Sequence, residues 1–178
     1  TRWTINETGN LLPSATSLGV YLGVTSATAS NLLDDYEEGT WTPALVGLSN
    51  TPSFSNKLGQ YTKIGRVCTV RCFIQTSGSP NPTFTTTADP FRISGIPFAV
   101  ASFGYTGSNG SISAQAFNYT GANNTAGATA DYLTASVDTS ERMEFQTTAS
   151  GATRGEVNNV GAAQGMIFEA TVTFFTTD

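Results

Sequence analysis

The sequence predicts an all-β chain: an antiparallel β-sandwich of jelly-roll-like type, preceded by an extended N-terminal segment and one short helical turn. Three observations predict it. Charged residues make up only 12% of the 178 positions, too few for solvated helical surfaces, while Thr, Ser, Gly and Asn recur in the manner of strands and turns. From Thr40 onward, short runs of alternating apolar and polar residues are separated by turn-rich stretches, the pattern of a sandwich or barrel. An apolar fraction of 39% is enough to form one core at this length.

Residues 1 to about 30 differ in kind from the rest. Trp3 and Ile5 alternate with polar neighbours, the chain turns at Gly9 and Asn10, and it resumes with Leu11, Leu12 and Pro13. Gly19, Tyr21, Leu22 and Gly23 form another short apolar patch. Such a segment cannot close a core by itself, and left alone it exposes Trp3, Ile5, Leu11 and Leu12. The run from Asn31 to Gly39 then packs Asp34, Asp35, Glu37 and Glu38 into five positions. Its chemistry predicts the helical turn over 31–38, with Asn31 as N-cap, carboxylates near the positive end of the dipole and Gly39 as a left-handed stop. Leu32, Leu33 and Tyr36 would share its buried face. Strands are expected near 40–47, 58–64, 66–76, 91–95, 98–106, 111–119, 129–137, 141–148 and 163–176. The last is the clearest: Met166, Phe168, Ala170, Val172 and Phe174 point one way, Glu169, Thr171 and Thr173 the other.

Composition also limits the chemistry. A net charge of −5, with the 8 Lys and Arg residues scattered, opposes binding to a phosphate backbone, so no nucleic-acid partner is expected. Cys68 and Cys72 on one strand would stand roughly 13 Å apart, beyond the reach of a disulfide, and are expected as buried thiols on one face. With no His and no further Cys, no soft-ligand metal site, no cofactor and no imidazole-activated nucleophile is expected. Asp34 and Asp35 leave two readings open: a hard-cation site of the Ca²⁺ kind, or outward charges on a solvated turn. No signal peptide and no membrane insertion are expected, since no apolar run is long enough to span a bilayer. Opening at Thr1 rather than Met, the chain reads as a piece of a longer protein.

Four segments carry a family resemblance. The acidic run continuing into Gly39-Thr-Trp-Thr-Pro43 resembles the boundary motif of bacteriophage tail-fibre proteins, where it separates a fibrous stalk from a distal β-rich domain. Residues Trp3 to Gly19 are similar to the W-x-I … G-N-L-L-P … L-G units of fibre shafts. Gly59-Gln-Tyr-Thr-Lys-Ile-Gly-Arg-Val-Cys-Thr-Val70 resembles that family's G-x-Y-T-K-I-G hairpin, with Gly65 turning the chain so that Ile64 meets Val67. Phe91-Arg-Ile-Ser-Gly-Ile-Pro-Phe98 resembles its strand-and-bend segment, with Gly95 and Pro97 interrupting the pairing. Beyond Val100 the likeness fades to strand pattern alone. The resemblance implies a homotrimer with an intertwined stalk and helical collar over 1–38 and a receptor-binding head over 39–178. It also implies a place at the tip of a virion tail fibre, with the rest of the fibre and a host-surface glycan or outer-membrane protein as partners.

Gly104–Asp131 is the expected working surface, because it is rich in amides, hydroxyls and glycines. Sugar recognition combines an aromatic face with amide and carboxylate hydrogen bonds, and Tyr105, Asn109, Tyr119, Asn123, Asn124, Asp131 and Tyr132 supply those groups. Two rival functions stay in view: a polysaccharide-depolymerising hydrolase of the tailspike kind, and a purely structural connector or decoration module. A hydrolase needs two carboxyls about 5–10 Å apart in a cleft. Its candidates are the 34–38 cluster, Asp131, Asp138, Glu141 and Glu144. Of these, Asp138–Glu141 reads as a turn and Glu144 as the solvent side of a strand, so no enzymatic activity is expected.

Overall fold

The computed structural model describes residues 2–15, 18–33, 35–77, 80, 82–83, 85, 92–102, 110–119, 132–138, 140–148, 155–156 and 162–177. The chain is all-β, built of antiparallel sheets with a single 3-10 turn among the described residues. Two two-stranded ribbons come first. β1 (Trp3–Ile5) pairs with β2 (Leu11–Pro13), closed by a turn in which Gly9 has φ +86 and the Asn6 carboxamide oxygen accepts from the Asn10 N–H at 2.8 Å. β3 (Val20–Tyr21) pairs with β4 (Leu32–Leu33).

The helical turn expected over 31–38 is not found. The 3-10 turn spans Ala29–Asn31 and ends where helix was to begin; after β4, the acidic run becomes β5 (Tyr36–Trp41). Asn31 does not cap a helix: its side chain donates to the Leu22 carbonyl at 3.1 Å. Gly39 stops nothing, lying mid-strand. A helical turn this short gains little by itself, whereas β5 forms six register pairs with β7 (Phe54–Ile64), from Tyr36↔Ile64 to Trp41↔Gly59. Nor is the expected apolar face buried, since Leu33 and Tyr36 are exposed.

Short β6 (Ala44–Leu45) follows Pro43, which divides the strand expected over 40–47. β7 and β8 (Val67–Thr76) form the long hairpin the sequence predicts. Gly65 has φ +54 while Arg66 stays at negative φ, the signature of a II′ turn, and Ile64 stands opposite Val67. β9 (Arg92–Ser94) ends at Gly95, whose φ of +99 lets the backbone pass the Thr42 carbonyl; a Cβ there would lie 2.8 Å from that oxygen. The strand expected over 98–106 is reduced to one bridge, Val100↔Thr176, with 103–106 outside the described residues. β10 (Gly110–Tyr119), β11 (Tyr132–Val137), β12 (Arg142–Thr148), the unforeseen β13 (Gly155–Glu156) and β14 (Ala162–Phe175) complete the chain.

The long sheet has the order β10-β14-β8-β7-β5, and the second runs β11-β12-β9-β6 with β13 also on β12. Alternation along β8 and β14 sends Cys68, Val70, Cys72, Ile74, Phe168, Ala170, Val172 and Phe174 inward. There they share one buried cluster with Leu45, Ile93, Val137 and Met143 of the second sheet. Both cysteines are buried and unbridged, as expected.

Candidate functional site

The other face of the long sheet carries the site that the described residues build. Register sets its rows. Glu38, Thr62, Thr69 and Thr173 stand side by side across β5, β7, β8 and β14. Thr40, Gln60, Arg71 and Thr171 form the next row, followed by Leu58, Phe73 and Glu169. Each row exists because residues of one parity on neighbouring strands point the same way.

Two hollows of about 600 and 550 Å³ lie along these rows and share Thr40, Gln60 and Arg71. Together they form one trough across the sheet, within the size range of small-ligand sites. Its floor is hydroxyl, amide and guanidinium; Leu58 and Phe73 give one end an apolar wall. Arg71 is held by Glu169, whose Oε1 accepts from Nε at 2.9 Å and from Nη2, and the Thr69 and Thr173 hydroxyls meet at 2.9 Å. Such a surface can give and accept hydrogen bonds with a polyhydroxylated ligand.

The acidic run borders the trough, and its described carboxylates are engaged within the chain. The Glu38 carboxylate accepts from the Tyr36 hydroxyl at 2.8 Å, and Glu37 accepts from the Tyr61 hydroxyl at 2.5 Å. Both phenols are thereby pushed above the usual tyrosine range, chiefly by these hydrogen bonds. Asp35 forms an ion pair with Lys63, which is only 3% exposed and lies 5.6 Å over the Phe98 ring. Tyr61 meets that same ring edge-on at 5.1 Å. Of the two readings left open for Asp34 and Asp35, Asp35 follows neither, and Asp34 lies outside the described residues. Among the described residues no cluster of three or more Cys, Asp or Glu could hold a metal ion.

Of the seven residues read from the sequence as receptor contacts, Tyr105, Asn109, Asn123, Asn124 and Asp131 lie outside the described residues. Tyr119 ends β10 opposite Ala162, and Tyr132 opens β11 opposite Thr148; their side chains also lie outside what is described. The carboxylates weighed for hydrolysis are placed more fully. Asp138 caps a turn, accepting from the Ser140 and Arg142 N–H groups at 2.9 and 3.0 Å, and pairs with Arg142 at 2.7 Å. Glu141 takes φ +61 in that turn. Glu144 is not a solvated carboxylate, for it pairs with Arg92 at 2.8 Å and is half-buried. The trough itself escaped the sequence reading. Alternation from Gly59 to Val70 marks its polar side chains, but only register puts Thr40, Gln60 and Arg71 in one row.

Compared with protein-family models, with curated proteins and with solved structures, the chain matches none.

Proposed function

We propose that this chain is the distal part of a bacteriophage tail fibre. It works as a homotrimer whose first 38 residues belong to an intertwined stalk and whose head, a jelly-roll-like β-sandwich, binds a host-surface saccharide during adsorption. One observation carries the reading. Among the described residues of the first 33, the strands form two ribbons, and Ile5, Leu11 and Leu22 remain 74%, 62% and 54% exposed. Monomeric proteins rarely expose apolar side chains in such number, and cover by other chains accounts for them. The motif order from Trp3 to Phe98 supplies the family, and the trough supplies a surface whose chemistry suits a sugar.

Adhesion explains why a shallow polar surface suffices. A single glycan contact of about 1 mM, roughly −4 kcal/mol, gains about 10²–10⁴ in avidity when several sites engage together. The reading is non-enzymatic: Asp35, Asp138, Glu144 and Glu169 each face a Lys or Arg rather than one another.

Light scattering at micromolar concentration tests the assembly, and the expected mass is that of three chains; a monomer overturns the reading. Titration with host-derived oligosaccharide tests the site. Gln60→Ala is expected to weaken binding about tenfold if the trough is the contact, and Asn123→Ala with Asn124→Ala if residues 104–131 are. Binding unaffected by either set overturns both placements. Release of reducing sugar would establish the hydrolase instead, and no binding to any host envelope the structural module.

A further inference from the structure

At the turn end of the long sheet, the trough-bearing face changes character within one residue row. Tyr36, Ile64, Val67 and Phe175 are 60%, 52%, 41% and 46% exposed, and they stand directly opposite one another in the pairs Tyr36↔Ile64, Ile64↔Val67 and Val67↔Phe175. Four strands thus present one unbroken apolar ledge, roughly 14 Å long at ~4.8 Å per strand. Scattered exposed apolar side chains need no explanation, but a contiguous row does.

The geometry points to a second copy of this chain as the occupant, so that the contact between copies continues from the N-terminal ribbons onto the head. The inference rests on the fibre reading and adds the surface that reading lacks. Area is the first argument. With aromatic side chains of about 150–250 Å² half exposed, and smaller aliphatic ones beside them, the ledge offers roughly 300 Å². That falls short of the ~800 Å² per partner of a stable interface. Adding Ile5 and Leu11, which share one face of the first ribbon, with Val20, Leu22 and Leu33, all exposed, brings the total to roughly 800 Å².

Continuity is the second argument. The ledge opens at Tyr36, three residues after Leu33, and the Gly65 N–H at the hairpin tip donates to the Asp35 carbonyl at 2.8 Å. Hairpin tip and incoming segment are therefore fastened together, and one copy can cover both. Charge is the third. An acidic run beside a self-contact would repel its counterpart; the ion pair with Lys63 offsets Asp35, and the hydrogen bonds from Tyr61 and Tyr36 hold the Glu37 and Glu38 carboxylates against their own chain without removing their charge.

Ile64→Glu and, separately, Phe175→Glu in the full chain test the inference, with mass by sedimentation equilibrium and fold by circular dichroism. Expected is a multi-copy wild type, with each variant dissociating at least 100-fold more readily and its spectrum unchanged. If a charged variant fails to fold, Ile64→Thr keeps a β-branched side chain in the strand and is expected to loosen assembly about tenfold. A multi-copy wild type with folded variants of unaltered mass overturns the ledge and leaves the fibre reading standing; a monomeric wild type overturns both.

Discussion

At Gly59 the missing side chain is what allows Trp41 to lie across β7. A Cβ there would stand 2.6 Å from the indole Nε1 and 2.7 Å from its carbons, and the indole N–H is already committed to the Gln60 carbonyl at 3.2 Å. Gly39 plays the same part for Tyr61, whose hydroxyl oxygen would meet a Cβ at 2.7 Å and whose ring carbons at 2.8 and 2.9 Å. Each aromatic thus covers a glycine on the neighbouring strand, which restores the packing a glycine forfeits. The two sites differ in how their neighbour can yield. Trp41 is buried, whereas Tyr61 is half-buried near the sheet edge. We expect Gly59→Ala to destabilise by about 2–3 kcal/mol and Gly39→Ala by about 1 kcal/mol, read as shifts in urea midpoint. Equal costs would mean that Trp41 moves as easily as Tyr61.

At the scale of the element, β5 shows how a charged run serves a sheet edge. It is the last strand of the long sheet, and charges on an edge discourage pairing with stray strands. Its inward neighbour is the ion pair of Asp35 with the buried Lys63. Breaking a buried pair by removing one partner leaves the other charge uncompensated, whereas an apolar replacement of that charge avoids its desolvation cost. Asp35→Asn is therefore expected to cost about 1–3 kcal/mol, discounted because the Asp35 side chain is 42% exposed. Lys63→Met, which keeps an unbranched stem one atom shorter and gives up the ammonium over Phe98, is expected to cost under about 1 kcal/mol. Chemical denaturation of the two variants would check that order, and the reverse order would show the ammonium itself to be required.

For the whole molecule, the core carries a pH dependence. Burial pushes the Cys68 thiol up to about 11 and that of Cys72 up to about 12, from 9.0. The folded chain holds these protons more tightly than the unfolded one. Their stabilisation is therefore complete below pH 9 and is lost as pH rises through about 11 and 12, by on the order of 1 kcal/mol per thiol for each unit above 9. The raised phenols of Tyr36 and Tyr61 act in the same direction. The urea midpoint is expected to fall between pH 8.5 and about 10.5, and to fall less in the variant combining Cys68→Ala with Cys72→Ala. An identical slope in that variant would assign the loss to other groups.

Much of the fold was legible because alternation is a property of one strand at a time. The inward set of β14, the paired buried thiols of β8, the turn at Gly65 and the Asp138 turn all follow from residues within a dozen positions of each other. The acidic run was misread for the same reason, since its local preference favours a helical turn and only the distant β7 makes it a strand. By itself the sequence determined the all-β class, the strands β7 to β12 and β14 to within a few residues, and the buried side of β8 and of the described part of β14. Only the tertiary structure decided which strands are neighbours and in what register, and so brought Gln60 beside Arg71 in the trough and Phe175 beside Val67 on the ledge. Those pairings are won by burial between segments remote in the chain, and no local pattern of side chains encodes them.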